Sequence, residues 1–395
     1  MTLPRSALVL GLARQGTAAA AALERRGVRV VRADRELGND DDAALLDDVD
    51  VLVKTAGAPN DALLVAAARG RGIPIWSDIE VGARVLPNPI LGVTGTNGKT
   101  TTTALLAQML DAPAAGNIGL ALCALDDQVP PGQWIVCELS SFQLEYVHTF
   151  QPRIAVLLNL EPDHLDRHGS FEEYRDAKLR AFANQQDADI AIVPSAFGEV
   201  PGRARQIEFS AEDPLPAEPR IPGAHNRENA AAAVAAARAA GLDEARIVKA
   251  LRAFTGVPHR LELVAERDGV RFVNDSKATN VAATLRALAA YDAPLLLIAG
   301  GRGKGEGFEP LARAARGRVR RAYLIGETAG ELAAALRDVP HELSDGLEPA
   351  VRAAAAEARR GEVVLLSPAC ASYDQFRDFE QRGDEFRRLA REVAG

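Results

Sequence analysis

The sequence predicts an α/β protein of three domains, and three observations carry that expectation. Short apolar runs alternate with alanine-rich or amphipathic stretches of helical length, the pattern of strands joined by crossover helices. The segment Pro87-Asn88-Pro89 interrupts this alternation, a fresh cycle opens behind it, and another opens near Val257-Pro258. The length of 395 residues, at roughly 150 per domain, suits two or three domains. The expected boundaries are 1–86, 87–256 and 257–395.

In the first segment the elements are a strand at 7–10, a helix at 18–26, strands at 28–32 and 51–53, and a helix at 61–69. The second opens with a strand at 90–94 and a helix at 99–110, followed by strands at 134–138 and 154–160. Ser170-Phe-Glu-Glu173 then has the spacing of a capping box and should start a helix. A proline-rich stretch, 194–222, reads as irregular or short-stranded, and 226–240 as a long alanine-rich helix. Strands at 271–274, 295–299, 322–325 and 363–366 make up the third cycle. No fixed-period repeat is visible.

Composition narrows the function. A chain with 47% hydrophobic and 25% charged residues is an ordinary globular protein, neither disordered nor fibrous. The formal charge of −8 offers no field to attract nucleic acid or an anionic membrane, so the expected partners are small molecules. The expected state is a monomer. Three widely spaced cysteines, Cys123, Cys137 and Cys370, suit neither a disulfide framework nor a Cys-x-x-Cys metal site. With no secretion-type N-terminal stretch and no 18-residue apolar run, the expected compartment is the cytoplasm. Only six of the 46 basic residues are lysine: Lys54, Lys99, Lys178, Lys249, Lys277 and Lys304. A lysine kept where arginine is the rule suggests a need for the amine itself.

The sharpest motif is Gly92-Val-Thr-Gly95-Thr-Asn97-Gly98-Lys99-Thr100-Thr101, between a predicted strand and helix. It has the makings of a phosphate cradle: backbone N–H groups freed by glycine, a helix N-terminus, a lysine for the β and γ phosphates and a hydroxyl for Mg²⁺. Val93 stands where the general P-loop pattern has its first glycine. Glu138 ends the 134–138 strand, a candidate Mg²⁺ ligand. The next strand runs into Asn159-Leu-Glu161-Pro-Asp163-His164-Leu-Asp166-Arg-His168, a loop dense in metal-capable and acid/base groups. Asn226 and Asn229 share one helix face and could read a base or ribose, or cap. Polar loops at Asn274–Asn280, Gly300–Gly305 and Ser367–Ser372 should converge on one sheet edge. Gly11-Leu-Ala-Arg14-Gln15-Gly16 lacks the middle glycine of a dinucleotide fingerprint. A regulatory GTPase is disfavoured, because the guanine-reading Asn-Lys-x-Asp is absent.

Together these motifs resemble the Mur ligase family of ATP-dependent amide-forming enzymes along essentially the whole chain. Thr94–Thr100, Asn117-Ile-Gly119, Glu138-Leu-Ser140-Ser141, the histidine loop, Lys178, His225–Asn229 and Pro258-His-Arg260 stand in the family's order. Within it, Asn274-Asp-Ser-Lys-Ala-Thr-Asn280 and Ser367-Pro-Ala-Cys-Ala-Ser372, continuing to Arg382-Gly383, match the branch that adds glutamate to UDP-N-acetylmuramoyl-L-alanine. The resemblance implies a Rossmann-like N-terminal domain, a central P-loop ATPase-type parallel sheet and a Rossmann-like C-terminal domain. It implies ligation of D-glutamate through an acyl phosphate in peptidoglycan precursor synthesis. The alternatives are the same ligation with L-glutamate, or a glutamate ligase of the folylpolyglutamate synthase kind.

The resemblance also implies roles. Gly95, Thr96, Asn97, Gly98, Lys99, Thr100 and Thr101 would hold ATP, with Asn226, Asn229, Arg260, Asp275 and Lys277. Two Mg²⁺ ions would be held by Thr100 and Glu138, and by His164 and a CO₂-derived carbamate on Lys178; Lys99, Glu138, His164 and Lys178 form the expected catalytic set. Gly11, Arg14, Gln15, Asp34 and Arg35 would receive the uridine diphosphate, and Asn117 and Ser140 the muramoyl part. Thr279, Lys304, Ser372 and Phe379 would form the amino-acid site. Arg302 is expected to add positive charge beside Lys304. Thr55-Ala56-Gly57 stands where the family has Ser-Pro-Gly.

Overall fold

The computed structural model describes residues 2–221, 223–303, 305 and 307–395, and at 166 the backbone alone. The described chain gathers into two compact units, Met1–Phe254 and Thr255–Gly395.

The first unit holds two sheets. β1 (Ser6–Leu10), β2 (Arg29–Ala33), β3 (Val51–Lys54) and β4 (Ile75–Trp76) form a parallel sheet in the order β2-β1-β3-β4. β5 (Ile90–Thr94), β6 (Ala114–Gly116), β7 (Ile135–Glu138), β8 (Ile154–Leu157), β9 (Ile190–Pro194) and β10 (Arg205–Phe209) form a second, ordered β10-β9-β8-β5-β7-β6 and also parallel. β1, β3, β5, β7 and β8 are buried along their whole length, which is why their sequences are apolar runs and not alternations. One hydrophobic cluster joins the two sheets, from Ala7 and Val9 of β1 through Ile79 and Val81 to Ile135 and Leu157. A buried carboxylate adds to this junction. Glu80 accepts backbone N–H bonds from His148, Thr149 and Phe150 at 2.9–3.0 Å and pairs with Arg84 at 2.8 Å. Burial alone would raise its pKa, but the hydrogen bonds and Arg84 outweigh that and hold it low.

The second unit is a six-stranded sheet made of β11 (Glu262–Arg267), β12 (Val270–Asn274), β13 (Leu295–Gly300), β14 (Val319–Ile325), β15 (His341–Leu343) and β16 (Val363–Leu366). Its order is β11-β12-β16-β13-β14-β15, parallel except for the antiparallel edge strand β11. Alternate residues face opposite layers. Leu295, Leu297 and Ala299 pack with the helices Val281–Ala289 and Glu309–Ala315, whereas Leu296 and Ile298 pack with Leu347–Glu357 and Phe379–Ala394. The chain passes from one face to the other before β16, so β12, β16 and β13 flank a topological switch point, where open α/β sheets bind ligands.

Trp134 and residues 158–160 lie outside the strands that the apolar pattern extended over them, because the chain turns there into loops. β4, β6, β9, β11 and β15 were not expected, and β10 falls in the stretch read as irregular or short-stranded; these strands are two to six residues long and sit at or next to sheet edges. Among the described residues no helix is long and apolar enough to cross a membrane. The three cysteines are free and buried.

Candidate active site

In the first unit the phosphate-cradle motif lies between β5 and the helix Lys99–Leu110. Gly98 caps that helix with φ +82°, and a Cβ there would lie 2.1 Å from Asn229 Oδ1. Two predicted nucleotide residues are thus in contact, although 131 positions separate them in the sequence. Asn226 and Asn229 lie inside the helix Ala224–Ala239, whose cap is Gly223, so capping is not their role.

The loop is stapled to the segment after β8. Thr96 N–H donates to Asn159 O at 3.0 Å, Asn97 N–H to Asn159 Oδ1 at 2.8 Å, and Asn97 Nδ2 to Glu161 Oε2 at 2.9 Å. Thr96 Oγ1 is 3.0 Å from the hydroxyl of Tyr174, which is 1% exposed. Tyr174 was not anticipated; its position four residues before Lys178, on the same helix face, was the available signal. That helix, Phe171–Ala183, is capped by Ser170, which accepts from Glu173 N–H at 3.1 Å. A reciprocal capping box occurs instead at Ser140 and Gln143. The Ser140 hydroxyl is therefore engaged in holding its own helix.

Lys99 Nζ donates to Gly95 O at 2.9 Å and Thr96 O at 2.8 Å, and Lys178 Nζ donates to Gly95 O at 2.8 Å. Lys178 is 2% exposed and lies over the Tyr174 ring at 4.6 Å. Burial, with the Lys99 charge as the next cause, lowers its pKa to about 6 against the raising effects of Asp163 and Glu138.

Strand pairing sets Val93 opposite Glu138, which brings this carboxylate to the edge where the loop begins. Glu138 is 2% exposed; Oε1 accepts from Asn117 Nδ2 at 2.8 Å, and Oε2 is buried without a partner. A bare carboxylate oxygen beside a phosphate loop fits a divalent cation. Among the described residues no three His, Cys, Asp or Glu side chains form a ready-made metal cluster. His164 is exposed, has φ +52°, and lies 3.6 Å from Asp163 and 5.0 Å, ring to ring, from Phe142. His168 is instead buried, 2.9 Å from Ser141 Oγ and 3.1 Å from Glu145, and burial lowers its pKa. Between them, Arg167 stacks on Phe142 at 3.8 Å and donates to Ala56 O at 2.9 Å and Ala58 O at 3.4 Å, tying the histidine loop to the loop after β3.

Of the expected uridine residues, Gly11 follows β1, Arg14 and Gln15 begin the helix Arg14–Arg25, and Asp34 and Arg35 follow β2. Gly11 has φ +88°, and a Cβ there would meet Thr55 Oγ1 at 2.3 Å. Asp34 accepts from Leu12 N–H at 2.5 Å and Glu36 N–H at 2.9 Å, which lower its pKa, while Arg14 and Arg35 are exposed.

In the second unit the three polar loops do follow β12, β13 and β16. Asp275 is 5% exposed, accepting from Ser367 Oγ at 2.8 Å and Leu261 N–H at 3.2 Å; burial pushes its pKa up to about 7. It crosslinks its own sheet. Lys277 lies 5.9 Å over the Phe379 ring, Ser372 is buried, and Arg260 and Thr279 are half-buried. Lys304 lies outside the described residues. Arg302 does not supply free positive charge, because it forms a two-bond pair with Glu327 at 2.8 and 3.1 Å.

Comparison with known proteins accounts for this arrangement. The Mur ligase middle domain matches residues 93–199, and the glutamate ligase domain of the Mur ligases matches residues 259–370. A UDP-N-acetylmuramoylalanine--D-glutamate ligase from Pelotomaculum thermopropionicum is 40% identical over 98% of this chain and 97% of its own. The chain belongs to the Mur ligase family. A second ligase of the same name, from Bacillus subtilis, is 38% identical over 96% of both chains. Among solved Mur ligase structures, UDP-N-acetylmuramate-alanine ligase MurC from Thermotoga maritima superposes with a TM-score of 0.59 at 19% identity, covering 99% of this chain and 100% of that one. MurF from Acinetobacter baumannii gives 0.59 at 20% identity, over 89% and 87%. At these identities the structures speak for the fold, and the Mur ligase architecture of α/β layers with parallel sheets is the one seen here.

Proposed function

We propose that the protein is an ATP-dependent ligase that joins D-glutamate to UDP-N-acetylmuramoyl-L-alanine in peptidoglycan precursor synthesis, acting as a cytoplasmic monomer. The observation that carries this reading is the near-full-length likeness, at about 40% identity, to ligases named for that reaction. The folylpolyglutamate alternative has a likeness of fold alone behind it, at 19% identity.

Joining a carboxylate to an amine in water requires an activated acyl group, which phosphoryl transfer from ATP supplies as an acyl phosphate. The Gly95–Thr101 loop binds the polyphosphate with backbone N–H groups, and Lys99 turns its amine from the Gly95 and Thr96 carbonyls to the phosphates. Asn229, which lies against Gly98, and Asn226 on the same helix would contact the nucleotide, as would Arg260, Asp275 and Lys277. Mg²⁺, held by Thr100 and Glu138 and, at a second position, by His164 and Lys178 as its carbamate, would offset the repulsion between the two reacting anions. Glu138 contributes an oxygen with no other partner. The lowered pKa of Lys178 favours a carbamate, because only a neutral amine adds CO₂; at a pKa near 6 roughly 90% is neutral at pH 7. Gly11, Arg14, Gln15, Asp34 and Arg35 would receive the uridine diphosphate, with Asn117 and Ser140 toward the muramoyl group. Thr279, Lys304, Ser372 and Phe379 would hold the glutamate, whose neutral amine attacks the acyl carbon; the acyl C–O bond to the phosphoryl group breaks, and inorganic phosphate and a proton leave.

The test is ADP release by the purified protein with ATP, Mg²⁺ and UDP-N-acetylmuramoyl-L-alanine, with D-glutamate, L-glutamate or neither. Release that requires D-glutamate supports the reading. Equal release with L-glutamate, or with a pterin acceptor in place of the muramoyl substrate, would replace it.

A further inference from the structure

Arg382 lies in the first turn of the helix Phe379–Ala394 and is 1% exposed. Its guanidinium makes four hydrogen bonds, all to neutral oxygens. Nε donates to Ser276 Oγ at 3.0 Å, Nη2 to Ser276 O at 2.9 Å and Cys370 O at 3.2 Å, and Nη1 to Ala371 O at 3.4 Å. A Cβ on Gly301 would come within 3.2 Å of Nη1. One side chain therefore touches the loops that leave β12, β13 and β16, the three strands around the switch point of this unit.

A buried cation without a carboxylate at hydrogen-bond distance is an expensive core residue. Burial lowers the pKa of Arg382 to about 10, the sign of that cost. An apolar side chain of similar volume would pack there at lower cost, so packing alone does not explain it. What a guanidinium adds is a rigid planar fork of five donors, able to hold several carbonyls at set distances. The carbonyls it holds belong to residues next to proposed site groups: Ser276 precedes Lys277 and Thr279, and Ala371 precedes Ser372. Ser276 Oγ also donates to Phe379 O at 2.8 Å, which links a fourth proposed site residue to the same cluster.

We propose that Arg382 is the positioning residue of the amino-acid site: its fork sets the spacing of the loops at Ser276, Gly301 and Cys370–Ala371, and through them the groups that grip glutamate. This rests on the ligase reading above.

The test compares wild type, Arg382→Met and Arg382→Lys for the KM of D-glutamate, ATP and the muramoyl substrate, and for kcat/KM with D- against L-glutamate. In Arg382→Met the KM for D-glutamate should rise at least about tenfold and the preference for D over L should fall, with the ATP KM within about twofold. Arg382→Lys, which keeps charge and reach but not the fork, should fall between. A folded Met variant with an unchanged glutamate KM would overturn the proposal, as would equal rises for ATP and glutamate. Should the Met variant not fold by circular dichroism, a wild-type glutamate KM in Arg382→Lys, or failure of both variants to fold, overturns it too. Wild-type protein without D-glutamate-dependent ADP release would instead defeat the ligase reading, and this inference with it.

Discussion

Lys99 and Lys178 donate to the same carbonyl oxygen, that of Gly95, at 2.9 and 2.8 Å. Two amines on one acceptor cannot both keep full charge cheaply in a buried site, and the deeper of the two, Lys178, has the depressed pKa. On the proposed ligase reading the pair divides, with Lys99 serving the phosphates and Lys178, whose pKa burial lowers, serving as the carbamate.

That division predicts different losses on substitution. Lys99→Ala should weaken ATP binding, seen as a KM for ATP raised at least about tenfold. Lys178→Ala should lose nearly all turnover yet regain part of it with added acetate or formate, which supply the carboxylate that the carbamate would carry. Lys178→Arg should stay inactive under both conditions. A fully active Lys178→Arg enzyme would overturn the carbamate assignment.

Gly98 leaves no room for a side chain. With φ +82° and a Cβ position 2.1 Å from Asn229 Oδ1, Gly98→Ala must displace either the loop or the Asn229 amide. We expect nucleotide affinity, measured by calorimetry, to fall about tenfold or more, with a stability loss of about 1 kcal/mol or more from the left-handed backbone. Unaltered nucleotide binding in this variant would contradict the packing described.

Arg167 connects the histidine loop to Ala56 and Ala58. Removing a charged donor from two carbonyls and an aromatic face costs about 1.5–3 kcal/mol per charged hydrogen bond in favourable settings. Arg167→Ala should therefore raise the KM for the UDP-linked substrate about tenfold while the ATP KM stays near wild type. A change confined to ATP would place the loop's role elsewhere.

Asp275 makes stability depend on pH. Its folded pKa, about 7, exceeds the ordinary carboxylate value, so between about pH 4 and 7 the native state binds more protons than the unfolded chain and stability falls as pH rises. Asp78, pushed up to about 6 by burial, acts in the same direction in the first unit. Asp275→Asn should gain several degrees of Tm relative to wild type on going from pH 5 to pH 8. A Tm difference that does not vary with pH would show that the carboxyl is ionised throughout.

The sequence by itself determined the class of fold and placed the glycine-rich loop before Lys99 between a strand and a helix. The reason is local: long buried parallel strands must be apolar runs, and a phosphate loop needs glycines, a lysine and a helix start at contiguous positions. Glu138 and Lys178 stand out against their own segments, and both are buried in the structure. The short edge strands β4, β6, β11 and β15 were not legible, since a few residues supply too little pattern. Tertiary structure alone decided which partners these groups have. The Asp275 carboxylate accepts from Ser367 and Leu261; Ser140 caps its own helix; and the charge of Arg302 is engaged by Glu327. It also supplied Tyr174 behind Thr96 and Arg382 beneath three loops. Apart from the Ser140 cap, whose partner Gln143 is three positions on, these partners lie 11 to 106 positions away, and hydrogen-bond pairing at that separation is written in no local pattern.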